Sequence, residues 1–250
     1  MFNSIFNGEY SMKRLVLCAV LLVSASMEIL AQDVDQLAVG LFVAGKGGMN
    51  IGKQDPNYES AFVLNPLSDF GITGYIPVSA RKNYGILLDV GMSSYSFSEK
   101  RIKPVVGTAI TKKYSYLTIA PSFTISYLTF GFAMGLPMGV SQKDENGNDL
   151  GSITVSDSTF ISPGVTGVVT RDLKEYTQMM LEIKVGTMIP VLKSPTGRLN
   201  VFANVGYMLT GLYKDEYYAK FPAISQYNPS TMSFSVGVNY VFNLTKPEEE

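Results

Sequence analysis

The chain has 250 residues, and its 20 Lys and Arg nearly balance 21 Asp and Glu, so it carries no general electrostatic attraction for nucleic acid. It contains no histidine and a single cysteine, which excludes Ser-His and Cys-His nucleophiles and histidine metal sites. At 46% hydrophobic residues it is ordinarily apolar, and its class has to be read from pattern.

The first pattern is a three-part leader. Met12, Lys13 and Arg14 form a short basic region, and Leu15 to Ser26 is a core of apolar and small residues. Ile29-Leu30-Ala31 then fits a signal-peptidase site, with Gln32 as the first mature residue. The residues before Met12 show none of this logic and read as an upstream extension. The apolar run is shorter than the ~20 residues of a spanning helix. Cys18 is preceded by Leu17, where a lipoprotein signal needs a small residue. Since Cys18 lies in the leader, the mature chain has neither disulfides nor thiol chemistry.

From residue 36 onward apolar residues alternate with small or polar ones, the two-residue period of a half-buried strand. Leu37, Val39, Leu41 and Val43 share one face. Ile86, Leu88, Val90 and Met92 share another, against Gly85, Leu87 and Asp89. Phe130, Phe132, Met134 and Leu136 oppose Gly131, Ala133 and Gly135; Val201, Val205 and Tyr207 oppose Asn200, Asn204 and Gly206. The last stripe sets Phe234, Val236, Val238, Tyr240 and Phe242 against Ser235, Gly237 and Asn239. Each run has the length of a tilted strand crossing a bilayer, ~9–11 residues. The second face carries few charges, unlike a strand facing bulk water, and its small residues suit the interior of a narrow barrel. Tyr84, Tyr114, Tyr116, Tyr127, Tyr207, Tyr240 and Phe242 are read as an interfacial girdle.

The expected fold is therefore all-β: a transmembrane up-and-down antiparallel β-barrel spanning residues 32–244, after a leader at 1–31 and before an acidic tail at 245–250. A soluble sandwich would need the apolar stripes to meet one another. Strand segments fall at about 36–46, 67–78, 84–96, 113–124, 127–140, 159–170, 177–190, 199–212 and 231–242, an odd number. Ile76-Pro77-Val78 and Ile189-Pro190-Val191 each precede a short polar turn, and placing both turns in the periplasm calls for one more strand between them. Adding 151–155 gives ten strands; the alternative is eight, with one or two segments lying in outer loops. The long connections 47–66, 97–112, 141–150, 171–176 and 213–230 then lie outside.

Two short runs carry a resemblance. Tyr116-Leu117-Thr118-Ile119-Ala120-Pro121 is similar to a strand motif common in small barrel proteins of the Bacteroidota outer membrane, and Ser235 to Leu244 resembles their closing strand. Ala120 stands where those proteins often carry an aliphatic residue, and Thr245 to Glu250 follow a closing aromatic that is terminal in many barrels. The resemblance implies an outer-membrane protein that meets lipid and lipopolysaccharide and is inserted by the barrel-assembly machinery.

An enzyme is not expected, nor is any cofactor or metal. Asp89, Glu182 and Lys184 point inward, forming either a charged constriction or a salt-bridge network that fills the lumen. Asp144-Glu145-Asn146-Gly147-Asn148-Asp149 begins like a calcium loop. Its glycine is misplaced, though, and Val155 stands where the closing glutamate belongs, so a plain turn is expected. Lys100, Arg101, Lys103, Lys112 and Lys113 make a basic outer loop suited to lipopolysaccharide phosphates or simply to solvent. Tyr213, Tyr217, Tyr218 and Phe221 crowd the last outer loop, where they either stack on a sugar or partner protein or pack over the barrel mouth. The function expected is structural or outer-loop binding, with a narrow pore, a lateral conduit for apolar solutes, or an accessory role in a secretion machine as alternatives.

Overall fold

The computed structural model describes residues 37–52, 55–79, 84–162, 165–220 and 227–244. The leader, Phe221 and the acidic tail lie outside the described residues. In chain order the elements are β1 (Ala38–Asn50), β2 (Tyr58–Ser79), β3 (Tyr84–Arg101), β4 (Ala109–Ile125), β5 (Leu128–Lys143), β6 (Asp149–Ser152), β7 (Thr154–Ser162) and β8 (Val165–Asp172). Then follow the helical turn α1 (Leu173–Tyr176), β9 (Met180–Ser194), β10 (Gly197–Met208), the short helix α2 (Asp215–Lys220) and β11 (Thr231–Asn243). Among the described residues no helix is long and apolar enough to cross a membrane.

Eight strands close a ring in the order β1-β2-β3-β4-β5-β9-β10-β11, every neighbour antiparallel, with β11 returning to β1. Closure removes the edges that an open sheet would present. The alternating stripes face as their periodicity requires. Leu41, Ile72, Leu88, Ile119, Phe132, Ile183, Val201 and Val236 are exposed on the outside. Ala44, Thr73, Leu87, Ala120, Ala133, Glu182, Asn200 and Ser235 are buried inside. A continuous apolar belt around a closed antiparallel ring, with a polar interior, is the architecture of an outer-membrane barrel spanning lipid with its strands.

The eight-strand alternative holds, and the ten-strand count does not. The even number is reached by losing a strand, not by gaining one. The run 159–170 is interrupted at Pro163-Gly164, a turn-forming pair. Its halves lie in β7 and β8, which among the described residues pair only with each other in a hairpin outside the ring. Residues 151–152 belong to β6, which adds briefly to the tip of β5.

Both IPV segments do end at one side, with the chain termini of the ring and the two-residue turn Ser126-Tyr127, where Ser126 takes φ 53°. A left-handed residue in so short a turn matches the twist of the flanking strands. Short turns mark the periplasmic side, and the long excursions leave from the other end.

Two residues placed in the girdle lie elsewhere. Tyr114 and Tyr116 are 0% exposed and point into the barrel. Tyr207 and Phe242 are exposed, and Tyr240 packs edge-on against Phe242 with ring centroids 4.8 Å apart.

Candidate functional site

The interior is organised in two layers. Midway along the barrel Lys46 is 2% exposed, and its ammonium lies 3.1 Å from Asp69, 3.9 Å from Glu182 and 2.8 Å from the Ser93 hydroxyl. Ser93 in turn donates to Asp69 at 2.9 Å. Glu182, fully buried, accepts from the Tyr95 hydroxyl at 2.5 Å and from Ser233 at 2.6 Å. The Lys46 ammonium also sits 4.1 Å from the Tyr95 ring centroid, so one cation is shared by two carboxylates and an aromatic face. A side chain on Gly206 would collide with the Glu182 carboxylate, which is why the inward position beside it carries none.

Local sequence explains how these groups meet. β2 sets three residues, Pro66-Leu67-Ser68, against the single Gly45 of β1 between its pairings at Asn65 and Asp69, an excess of two. The excess of two leaves the inward parity of Asp69 unchanged but alters its register against β1, and Asp69 comes to lie beside Lys46. Pro66 has no backbone N–H to lose from the ladder at such a point.

Of the inward charges expected, Glu182 belongs to this network. Asp89 and Lys184 face a lower part of the lumen, where both line two cavities of about 20 Å³ each. Space of that size holds about one water molecule. Sequence reading missed Lys46 and Asp69, although each has the inward parity of its strand. At the base, Arg198 lies over the Tyr75 ring at 4.3 Å.

Above the charged layer the lumen is filled by Tyr95, Phe97, Tyr114, Tyr116, Met180, Met208 and Leu212, joined by Leu173 and Tyr176 of α1. Tyr114 and Tyr213 share a hydrogen bond between their hydroxyls, and Tyr213 stacks on Tyr217 with centroids 4.5 Å apart. Tyr218 packs edge-on to both. The tyrosines of the last outer loop therefore pack over the mouth. Burial, then the neighbouring Tyr213, pushes the Tyr217 hydroxyl up to about 12.

Beside this cap lies a cavity of about 210 Å³ whose lining includes Asp55, Tyr58, Glu99, Lys112, Tyr217 and Tyr227. Lys112 turns inward there and pairs with Glu99. It thus leaves the basic set: Lys100, Arg101 and Lys103 are exposed at the rim, and Lys113 has the opposite strand parity. Asp144 accepts from the backbone N–H of Asn146 and Asn148 and from the Asn148 amide. The hydrogen bond from the Asn148 side chain, the largest influence, holds its carboxyl below the usual range. Those bonds describe a turn, and no metal-binding acidic cluster occurs among the described residues.

No family model and no curated protein matches the chain. Among solved structures it is similar to Ail, the attachment invasion locus protein of Yersinia pestis, at 13% identity and a TM-score of 0.38, covering 84% of this chain and 100% of that one. It is also similar to the outer membrane protein OprG from Pseudomonas aeruginosa, at 10% identity and 0.34, covering 85% and 100%. The outer membrane protease OmpT from Escherichia coli follows at 13% and 0.26, covering 87% and 99%. These values tie the chain to no particular relative; its membrane placement rests on the closed ring and its apolar belt.

Proposed function

We propose that this barrel is a non-catalytic, non-conducting outer-membrane protein that works through its outer end. The observation that carries the reading is the contrast along the axis. The charged layer and the aromatic layer fill the described lumen around two spaces of about 20 Å³ each, whereas the outer mouth keeps a tyrosine-lined cavity of about 210 Å³. Barrels of eight strands are generally filled by side chains, which agrees with this division. At the mouth, Tyr58, Tyr217 and Tyr227 offer faces for a sugar ring or a partner's side chain. Lys100, Arg101, Lys103 and Lys113 remain for lipopolysaccharide phosphates.

The test is conductance of the purified, refolded chain in a planar lipid bilayer, using preparations whose unheated band shifts on a denaturing gel after boiling. Silence is expected. Discrete, reproducible steps would overturn the reading in favour of a pore, with Lys46, Asp69 and Glu182 as its constriction. A second arm measures binding of lipopolysaccharide micelles. Exchanging Lys100, Arg101, Lys103 and Lys113 for Gln is expected to weaken a salt-dependent association several-fold; unchanged binding would remove these residues from the reading.

A further inference from the structure

The ring is complete at its base but not at its outer end. β5 pairs with β9 only from Leu128 to Gly135, ending at Gly135 opposite Met180. Beyond it Leu136, Pro137, Gly139 and Val140 stay paired with β4 on one side, through Leu117 to Tyr114, with Met138 bulged between them. On the β9 side they have no strand partner among the described residues until β6 begins opposite Ser141. Above Met180 the chain follows β10 instead. Gln178 donates its N–H to the Leu212 carbonyl at 2.9 Å, and Thr177 bridges to Tyr213. β9 and β5 therefore part, and α1 lies against β5 in the space between them.

This seam lies within the apolar belt, because Leu136, Met138 and Met179 are 56%, 46% and 55% exposed at its borders. Unpaired backbone is not tolerated against open hydrocarbon, so something must cover it. On the inner side Leu173 and Tyr176 of α1 are buried in one cluster with Tyr116, Val140 and Met180. The β5 side of the seam is short of side-chain volume at Pro137 and Gly139: a Cβ added at Gly139 would meet nothing within 4 Å, whereas at Gly135, where the pairing with β9 ends, it would meet Met180 and Tyr116 at 3.0 Å. Pro137 also lacks the N–H that a pairing strand would need. The facing side carries Met179 and Met180, flexible chains that repack easily. Behind the seam Tyr116 is fully buried, and its hydroxyl has no hydrogen-bond partner among the described residues.

We propose that the β5–β9 seam is a lateral port, stoppered by α1, that admits the alkyl chain of a single-chain amphiphile from the outer leaflet. The position within the belt sets the chemistry of what lies outside, the slot of glycine and proline sets its width, and the Tyr116 hydroxyl offers a hydrogen bond to a polar end group. The port opens sideways to lipid, so it stands whether or not the mouth binds a ligand, and it needs no aqueous path through the lumen.

The test uses the refolded full barrel in lipid vesicles, with a fatty acid bearing a photoreactive diazirine on its chain as the probe. Labelled positions are read by mass spectrometry of the tryptic peptide from Glu175 to Lys184, which holds Tyr176, Met179 and Met180. Saturable labelling is expected at Tyr176 and Met180, displaced by excess unlabelled fatty acid. Gly139→Leu, which fills the slot, is expected to lower it at least fivefold while leaving belt labelling near Leu41 and Ile72 unchanged. Tyr116→Phe is expected to keep the heat-dependent gel shift and to weaken displacement several-fold. Labelling confined to Leu136, Met138 and the general belt, or indifferent to Gly139→Leu in a correctly folded barrel, would overturn the port.

Discussion

At the scale of single residues, Lys46 is the position on which the interior depends. Its ammonium is the cation nearest to both Asp69 and Glu182, and all three groups are out of reach of bulk water. Breaking a buried pair by removing one partner costs about 3–5 kcal/mol, because the charge left behind is neither solvated nor compensated. Lys46→Met keeps the length of the stem and removes only the charge. It is expected to destabilise the barrel by about that amount, read as a shift in the urea midpoint of the heat-modifiable form. A loss below about 1 kcal/mol would mean that the carboxylates are held by Ser93, Tyr95 and Ser233 alone. The network was only half legible in the sequence. Glu182 and Asp89 sit in mid-strand, where inward parity is plain. Lys46 adjoins Gly45, Gly47 and Gly48, and Asp69 follows Asn65-Pro66, so both look like the ends of strands. In the fold β1 runs on to Asn50 and β2 starts as early as Tyr58, which brings both charges into the middle of the wall.

At the scale of elements, what was hard to read is what lies above the membrane. Composition reports strand propensity, and β7 and β8 share it with the ring strands, with Val165, Val168 and Val169 among Thr and Gly. Periodicity carries no information on which strand a segment pairs with. Here the pairing of β7 with β8, from Thr154 opposite Asp172 to Ser162 opposite Val165, shows the run folded back on itself. The hairpin contributes Val155 to the mouth cluster but, among the described residues, no strand pairing with the ring. Replacing Ser156 to Thr170 by a short Gly-Ser linker is therefore expected to leave a barrel that refolds and still shifts on the gel after boiling. An equivalent replacement within β9 is expected to abolish the shift, because it breaks two ladders at once. Loss of refolding on removal of the hairpin would show that β7 and β8 guide closure of the ring. The same reasoning explains the misplaced tyrosines. Tyr114 and Tyr116 mark the outer end of β4 by their position along the chain, and only the closed ring shows that they turn inward to stack beneath the cap.

At the scale of the whole molecule, the exposed apolar stripes distinguish a membrane barrel from a soluble one. In a sandwich they would meet a second sheet, but here the ring closes and they face outward on every strand. Such a surface is stable only in lipid, and lipid makes a depth-dependent demand that water does not. Val43 lies midway along β1, opposite Val238, whereas Ile51 follows the outer end of the same strand. Both are exposed, at 36% and 38%, so burial within the protein does not separate them. An arginine at the bilayer midplane costs about 2–4 kcal/mol in a barrel of this kind, falling to about 0–1 near the interface. Val43→Arg is therefore expected to destabilise the barrel in lipid vesicles by the larger amount and Ile51→Arg by the smaller. In urea titrations the gap between the two variants is the quantity to read. Equal small losses would place water against the belt and return the chain to the soluble class. A clear gap would locate the bilayer along β1, and with it the depth at which β5 and β9 part.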